Sequence, residues 1–427
     1  MLLEFSIGNF RSFEDIQSLD MRATALRSEK KEVDDCNILR QGNEQVLKAV
    51  GLYGPNGSGK SNVIKALQLF CQLVRSSLEN EAVMTFAPEP FKLGVPTPDN
   101  AGFFQVQVLL DGKKFRYGFT LDFAGEVGQE WLFGPADKNE TWYFKRTGTD
   151  IQFNKDRFDE ADRLPLESVR PNTLFLSFVS SYNGPTSQLI RKFLATQIHF
   201  LPDALRRIRT ISISGSKIIR VPVEGFETSK MVNDGGAAIV LDWLRKAGLH
   251  YTGIEVKDKQ DGFSETILLE KQLLDNEGKQ VGSAVFDLRE NESAGTQKYF
   301  NLIAPLYHVF NEGGVIVSDE VDNNFHPSLL QQFIRQFNDP ALNKAGAQLI
   351  FTSHDTNLLQ PDILRRDQIY FTEKSNKEAT VLYSLADLKG IRNNADFARQ
   401  YLAGLYGALP ILHNLKNETS LNDFSNG

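Results

Sequence analysis

The segment GPNGSGKS at residues 54–61 constrains this chain more than any other part of its sequence. It fits the pattern G-x-x-x-x-G-K-[ST], with an apolar strand before it and apolar residues at helical spacing from Ser61 to about Ser77. Glycines let such a loop curl until successive N–H groups point at phosphate oxygens, and the helix N-terminus adds partial positive charge. We expect Lys60 to reach the β- and γ-phosphates and the Ser61 hydroxyl to reach Mg²⁺. The predicted nucleotide-binding residues are Gly54, Pro55, Asn56, Gly57, Ser58, Gly59, Lys60, Ser61 and Asn62.

Two later strands end in residues that suit phosphate chemistry. GGVIVSDE at 313–320 is an apolar strand that ends in Asp319 and Glu320, and the apolar strand AQLIFTS is followed by His354. After a phosphate loop, Asp319 would hold Mg²⁺ through water, and Glu320 would polarise the attacking water as a general base. An imidazole at the position of His354 can hydrogen-bond the γ-phosphate. An apolar strand ending in Asp-Glu is common by itself, so the order of the three segments carries the prediction that Lys60, Glu320 and His354 are catalytic.

A second helix N-terminus lies far along the chain, in ESAGTQKYF at 292–300. Ser293, Gly295 and a helix beginning near Thr296 would form another anion-binding helix end. It is too distant in sequence to belong to the first loop. In composite ATPases a second helix end of this kind closes over ATP held by the opposite subunit. A plain capped helix is the alternative interpretation.

The order of strand and helix patterns predicts an α/β fold. Strands are expected at 2–7 and in QVLKAVGLYG up to Gly54, followed by a β-meander from about 103 to 154 with an Asp111-Gly112 hairpin turn. Helical patterns such as SQLIRKFLATQIHFL at 187–201 dominate after that, and the last third alternates strands and helices as in a parallel sheet. We predict an N-terminal ATPase lobe at 1–165, a helical insert or lid with a candidate partner-docking surface at 166–285, a C-terminal ATPase lobe at 286–412 and a polar tail at 413–427.

Composition excludes several classes of protein. With 41% apolar and 24% charged residues, the chain can build a large core, and its net charge of −7 excludes a basic protein that coats nucleic acid. Two cysteines, no Cys/His spacing for zinc, no signal-type N-terminus and no membrane-length apolar run favour a cytoplasmic protein without a membrane partner. One basic cluster could bind nucleic acid, although a solvated face or a docking surface for an acidic partner explains it at least as well. Its members are Arg206, Arg207, Arg209, Lys217 and Arg220.

The order SIGNFRSF, GPNGSGKS, SAGTQKYF, VIVSDEVDNNFHP and FTSHD resembles the ABC-type ATPases of the SMC, RecF and OLD clade. Within that clade the chain resembles the RloA/AbiLi-type AAA-family ATPases of bacterial anti-phage systems, to which the AriA ATPases of PARIS systems are similar. FRYGFTLD followed by EWLF, and the tail ADFARQYLAGLYGALP, fit this subfamily. The resemblance covers most of residues 1–412 and is weakest over about 135–285.

The resemblance implies an ABC-type (SMC/RecF-like) P-loop ATPase head with an antiparallel β-subdomain and a helical insert. It implies that SAGT is the ABC signature, acting in trans, and that the stretch from Asp322 to His326 is the D-loop at the dimer interface. Arg11 would lie near the nucleotide. The signature residues are Ser293, Ala294, Gly295 and Thr296, and the interface residues are Asp322, Asn323 and His326.

Two departures from the family pattern bear on the site. The signature lacks the leading Leu of transporter ATPases, as is usual in the RloA/AbiLi subfamily, and no Q-loop glutamine is evident. EPFKL at 89–93 lies where the Q-loop is expected, whereas Gln105 and Gln107 fall on a later strand. The residue that completes the Mg²⁺ shell is therefore left open.

These features predict an ATP- and Mg²⁺-dependent ATPase that forms an ATP-sandwich dimer or multiples of it. As a component of an anti-phage defence system, it would sense a phage-derived trigger and control a separate toxic effector, a nuclease. The stretch after His354 is too short for an added Toprim nuclease domain beside the closing strands, which is why a separate effector is expected. A RecF-like DNA-binding ATPase of repair or maintenance is the alternative, and an importer subunit is disfavoured by the insert and the β-meander.

Overall fold

The computed structural model describes residues 1–94, 101–136, 139–201, 208–213, 217–222, 228–258 and 265–410. Helices and strands are numbered in chain order. The helices are α1 (Lys31–Asn37), α2 (Lys60–Ser76), α3 (Glu81–Thr85), α4 (Phe175–Ser181), α5 (Pro185–Thr196), α6 (Thr228–Met231), α7 (Ala237–Lys246), α8 (Ala294–Glu312), α9 (Pro327–Asn338) and α10 (Phe397–Leu402). In the described part of the chain, no helix combines the length and the apolar character needed to cross a bilayer.

A six-stranded sheet carries the phosphate loop at one of its edges. In spatial order its strands are β11 (Ile198–Phe200), β17 (Val315–Ser318), β18 (Gln348–Thr352), β5 (Ala49–Tyr53), β19 (Ile369–Lys374) and β20 (Thr380–Ser384). The first five are parallel, and β20 pairs antiparallel with β19. Every residue of β5, β17 and β18 is buried, as apolar strands covered on both faces should be. The carboxyl ends of these three strands meet at one edge, the usual place for a ligand in such a sheet.

A seven-stranded antiparallel sheet forms the predicted β-meander. In spatial order its strands are β10 (Asp150–Phe153), β9 (Glu140–Thr147), β8 (Val127–Pro135), β7 (Lys113–Leu121), β6 (Gly102–Leu110), β1 (Leu2–Gly8) and β2 (Gln17–Asp20). Asp111 and Gly112, with φ of 49° and 71°, make the predicted turn between β6 and β7, and two positive φ angles suit a two-residue hairpin loop.

Side chains of the parallel sheet alternate between two hydrophobic cores. Along β5, Val50 and Leu52 face one core, whereas Ala49 and Tyr53 face the other. The first core lies between this sheet, α2 and the antiparallel sheet, and the second is covered by α8 and α9. Burial of each Leu or Phe side chain contributes about 1.5–3 kcal/mol to the free energy of unfolding, so packing on both faces of the sheet stabilises β5 in its position. The predicted α/β head with an antiparallel β-subdomain is confirmed.

Three smaller sheets complete the described chain. They are the hairpin of β3 (Ile38–Gln41) and β4 (Glu44–Leu47), the hairpin of β12 (Ile208–Ile213) and β13 (Lys217–Pro222), and the antiparallel sheet of β14 (Gly253–Asp258), β15 (Glu265–Leu274) and β16 (Gln280–Asp287). In the basic cluster, Arg209, Lys217 and Arg220 lie on β12 and β13. Arg206 and Arg207 lie outside the described residues, as does the polar tail at 413–427.

Two local predictions were wrong. The helix expected over 187–201 ends at Thr196, and Ile198–Phe200 form β11, because these residues extend the parallel sheet beside β17. The single strand expected up to Gly54 is two strands, β4 and β5, divided at Lys48. The Lys48 N–H bonds to the Asn37 carbonyl at 3.0 Å, while its own carbonyl accepts from Leu349 of β18 at 2.8 Å. Region 166–285 holds both helices and strands, and its division from the flanking lobes stays a prediction.

Candidate nucleotide site

The phosphate loop is pressed against the last two strands of the parallel sheet. Gly54 and Gly59 have φ of 146° and 116°, which L side chains rarely adopt. A Cβ on Gly54 would lie 2.3 Å from the Thr372 carbonyl oxygen, and one on Gly59 would lie 2.2 Å from Thr380 Oγ1. Both positions therefore require glycine for their backbone angles and for the close approach. The loop leads directly into α2, which begins at Lys60.

Three hydroxyl side chains hold this loop from outside. Ser58 Oγ lies 2.6 Å from Thr372 Oγ1, and the Thr380 hydroxyl donates to the Ser58 carbonyl at 2.7 Å. Ser12 Oγ lies 2.8 Å from Thr380 Oγ1 and accepts from Asn62 Nδ2, also at 2.8 Å. Contacts from β19, β20 and the NFRSF turn thus fix the loop before any ligand is bound, which limits the entropy lost on binding.

Lys60, the first residue of α2, is buried, and its side chain folds back onto the loop. Its Nζ donates to the carbonyl oxygens of Gly54 at 2.8 Å and Pro55 at 3.0 Å. Burial lowers the pKa of Lys60, while the nearby carboxylates of Asp319 and Glu320 oppose that change. The loop therefore places an ammonium group among groups that would orient a phosphate.

Ser61 and Asp319, the two residues predicted to hold Mg²⁺, lie in hydrogen-bond contact at the carboxyl edge of the sheet. Ser61 Oγ donates to Asp319 Oδ1 at 3.0 Å, and Thr352 Oγ1 donates to the same oxygen at 2.6 Å. Hydroxyl and carboxylate oxygens are ligands that Mg²⁺ accepts, so these residues fit the predicted metal. Among the described residues no three His, Cys, Asp or Glu side chains cluster closely enough to hold a metal by themselves. A Mg²⁺ ion here would take most ligands from phosphate and water, as is common for this ion.

The residues after β17 form a tight loop beside the end of β18. Glu320 has φ of 47°, and its N–H donates to Thr352 Oγ1 at 2.7 Å. Its Oε2 accepts from Asn323 Nδ2 at 2.5 Å. Asp322 Oδ2 accepts from the backbone N–H of His354 at 3.2 Å, and its Oδ1 is buried with no hydrogen-bond partner within the described chain. The structure thus brings the predicted catalytic carboxylate and the exposed His354 to neighbouring strand ends.

Arg11 lies in the turn that supports the loop. Its Nη2 pairs with the Glu89 carboxylate at 2.8 Å, and the next residue, Ser12, contacts the start of α2. Segment 89–93 lies against this turn, since the Phe91 N–H donates to Asn9 Oδ1 at 3.0 Å. Gln105 lies in the β-meander and accepts from Trp131 Nε1 at 3.1 Å, and Gln107 lies opposite Glu4 of β1.

Ser293 caps α8, which begins at Ala294, close to the helix start expected near Thr296. Ser293 Oγ accepts from the Thr296 N–H at 3.2 Å, and both Ser293 and Ala294 are exposed. Gly295 packs under the loop after β17, where an added Cβ would lie 2.5 Å from the Asn324 carbonyl oxygen. His326 closes this loop by capping α9, because its Nδ1 accepts from the Ser328 N–H at 3.3 Å.

A family model described as "AAA domain, putative AbiEii toxin, Type IV TA system" matches residues 49–360, more than half of the chain. The match runs from β5 past His354 and includes the SAGT helix and the carboxylates after β17. The chain belongs to this family. Comparison with curated proteins finds no match to this AAA-family protein.

Two SMC head domains are similar to this AAA-family protein among solved structures. The SMC head domain from Thermotoga maritima has 13% sequence identity and a TM-score of 0.38, with 90% of this chain and 98% of that chain covered. The Smc head domain with an extended coiled coil, bound to the C-terminal domain of ScpA and derived from Pyrococcus furiosus, has 11% identity and a TM-score of 0.41. That match covers 95% of this chain and 99% of the other.

Sequence reasoning missed three threonines of the site in this AAA-family protein. Thr352 joins Asp319 to the Glu320 backbone, and Thr372 and Thr380 hold the loop. A threonine on a strand is common in any sheet, so only the position of Thr352, two residues before His354, offered a hint.

Proposed function

We propose that this chain binds ATP and Mg²⁺ and hydrolyses ATP at the carboxyl edge of its parallel sheet. The observation that carries the proposal is the hydrogen bond from Ser61 Oγ to Asp319 Oδ1 at 3.0 Å. It connects the phosphate loop to the carboxylate that follows β17. Two segments 258 residues apart are thereby joined in one site whose donors and acceptors suit a metal-bound triphosphate. Membership of an AAA family supports the same conclusion.

Each group would have a separate role. Lys60 and the loop N–H groups would hold the phosphates, while Ser61 and Asp319 would hold Mg²⁺. When bound, Mg²⁺ neutralises charge on the β- and γ-phosphates. Glu320 would accept a proton from the attacking water, and His354 would hydrogen-bond the γ-phosphate.

We propose further that the active form is a homo-oligomer, an ATP-sandwich dimer or a multiple of it. Ser293 and Ala294 are exposed at the N-terminus of α8, where partial positive charge favours an anion. A second subunit could present this helix end to a nucleotide held on the first. The exposed Asn323 and His326 would then lie at the subunit interface.

We assign the chain to a cytoplasmic anti-phage defence system in which it controls a separate toxic effector, a nuclease, in response to a phage-derived trigger. The description of its family as a putative toxin of a type IV toxin–antitoxin system supports a role in defence over one in DNA repair. Control of a separate effector is our own proposal. The predicted docking surface for the effector is region 166–285, since inserts on a rigid scaffold commonly carry binding specificity. Nucleic acid remains a candidate ligand of β12 and β13, where Arg209, Lys217 and Arg220 lie.

The test combines purified protein with cells. The pure chain should release phosphate from ATP slowly and only with Mg²⁺, and it should cut neither DNA nor RNA. The protein encoded by the neighbouring gene should copurify with it, and cells that express the chain alone should gain no phage resistance. Absence of ATP turnover under all conditions contradicts the ATPase assignment. Nuclease activity of the pure chain that a substitution within it abolishes contradicts the assignment of a separate effector.

A further inference from the structure

The side chain of Lys298, one helical turn into α8, reaches the loop that carries Glu320. Its Nζ donates to the carbonyl oxygens of Val321 at 2.9 Å and Asn323 at 2.8 Å, and it lies 3.4 Å from the Glu320 carbonyl oxygen. The same Nζ lies 4.7 Å from the centroid of the Phe325 ring, within cation–π range. An ammonium group has three donors, so one lysine orients most of the carbonyls of this turn.

The loop needs such support because its backbone is strained. Glu320 and Asn324 have φ of 47° and 65°, in the left-handed region that costs non-glycine residues about 1–3 kcal/mol. Gly295 of α8 lies directly beneath the Asn324 carbonyl oxygen and leaves no room for a side chain. Helix α8 therefore contacts the loop at two points, through Gly295 and through Lys298.

The same loop sets the direction of the predicted general base. Asn323 Nδ2 donates to Glu320 Oε2, so the Glu320 carboxylate is held by a residue whose own carbonyl is bound by Lys298. Release of the Asn323 carbonyl would let both the carboxylate and its hydrogen-bond donor move. A displacement of about 1 Å at a reacting group can lower the rate about a hundredfold.

We infer that Lys298 is a positioning residue for Glu320 of its own chain, an inference that rests on the proposed ATPase function. Helix α8 would then serve two nucleotide sites. Its exposed first residues would contact the nucleotide of the opposite subunit, while Lys298 would hold the water-activating loop of its own subunit. Because Lys298 acts through backbone carbonyls of the Glu320 loop, its removal should lower the rate of the chemical step without changing the affinity for ATP.

The first test compares Lys298→Met and Lys298→Arg with Lys344→Met, a control at an exposed lysine in the segment between α9 and β18. Lys298→Met should lower kcat by about tenfold to a hundredfold, with KM and ATP affinity within about twofold of the unsubstituted chain. Lys298→Arg retains a cationic donor and should recover most of kcat. Unchanged kcat in Lys298→Met, or a loss of ATP affinity that matches the loss of kcat, would overturn the inference.

The second test separates action on the same chain from action on the partner. Chains carrying Ser293→Arg, mixed with chains carrying Glu320→Gln, should regain turnover, since one composite site then has an intact base and an intact signature. Lys298→Met mixed with Glu320→Gln should regain none, because the only intact Glu320 belongs to the chain that lacks Lys298. Recovery in that second mixture would place Lys298 in the partner's site and overturn the inference. If the unsubstituted chain hydrolyses no ATP, the proposed function fails instead.

Discussion

The N-terminus of α2 is enclosed by its own chain, whereas the N-terminus of α8 faces solvent. At the first, Lys60 is buried and Ser58 is held from β19 and β20 by Thr372 and Thr380. At the second, the capping Ser293 is exposed and bonds only to its own first turn among the hydrogen bonds described. Both helix ends carry partial positive charge, but only the first is held in place by surrounding residues of its own chain.

The difference indicates which part of binding each end can contribute. An enclosed loop is preorganised, so most of its affinity for a triphosphate should be present in a single subunit. An exposed helix end adds its partial charge only when another surface brings an anion to it. Substitutions at the first end should therefore impair nucleotide binding, and those at the second should impair turnover alone.

The largest effects are expected for Lys60, at the enclosed N-terminus of α2, and for Glu320, the proposed general base. Lys60→Ala should lower ATP affinity about a hundredfold or more, because it removes a charged hydrogen-bond donor from a buried site. Glu320→Gln should leave affinity intact and lower turnover by about two to four orders of magnitude. Calorimetric titration with ATP and phosphate release at saturating ATP measure the two effects. Near-normal turnover in Glu320→Gln would contradict the assignment of the base.

Ser293→Arg tests the exposed end, and its effect should appear only in the assembly. This variant should bind ATP as the unsubstituted chain does and hydrolyse it poorly. Mixed in equal amounts with Lys60→Ala, it should regain about a quarter of normal activity, since half of the dimers then hold one intact site of two. Failure to recover, with subunit exchange demonstrated by tagged chains, would mean that SAGT is only a helix cap.

A smaller effect on turnover is expected at Thr352, where the carboxyl ends of β17 and β18 lie side by side. Thr352→Val keeps the shape of the side chain but removes the hydroxyl that bonds to Asp319 and to the Glu320 N–H. Loss of such an outer contact should lower kcat about tenfold and raise the Mg²⁺ concentration needed for half-maximal rate. Thr196→Val, at an exposed position at the end of α5, is the control. Equal Mg²⁺ dependence in both variants would contradict this role.

The smallest effect concerns stability away from either helix end. Burial, with a contribution from nearby His308, lowers the pKa of His199 to about 4. Between pH 6.5 and that value the unfolded chain binds a proton that the folded chain does not, so the free energy of unfolding should fall as pH falls. In His199→Gln, the decrease in the free energy of unfolding on acidification should be smaller by about 1–3 kcal/mol. Urea unfolding at pH 7.5 and 5.0 measures it, with the exposed His250→Gln as control. An unchanged pH dependence in His199→Gln would contradict the assignment.

The sequence predicts the parts of the site that obey local patterns. The spacing of glycines, lysine and serine specifies the phosphate loop, and apolar strands ending in Asp319 and His354 specify the sheet edge, because parallel strands present their carboxyl ends together. The roles of these residues in catalysis stay predictions. Their placement follows from patterns shorter than about ten residues, which single-sequence reasoning can detect.

The remaining contacts depend on pairs that no local pattern specifies. Ser12 and Thr380 are 368 residues apart, and Ser58 and Thr372 are 314 apart, yet each pair is in hydrogen-bond contact. The strand at Ile198–Phe200 was mistaken for helix because a segment of three residues, two of them apolar, continues a helical pattern equally well until a neighbouring strand is known. Lys298 likewise shows no special signal, since lysines are common on helix surfaces.

The position of β5 in the centre of its sheet has a consequence for synthesis of the protein. β5 lies between β18 and β19, two strands that follow it in the chain by about 300 residues. Leu2 and Gln348, 346 residues apart, are likewise joined by hydrogen bonds between backbone and side chain. At the usual rate of translation, residues 49–62 leave the ribosome about 15 to 60 s before β18 and β19 do. During that interval the phosphate loop of the nascent chain lacks the two strands that flank β5 in the sheet, and we expect no nucleotide binding until the last third of the chain has emerged.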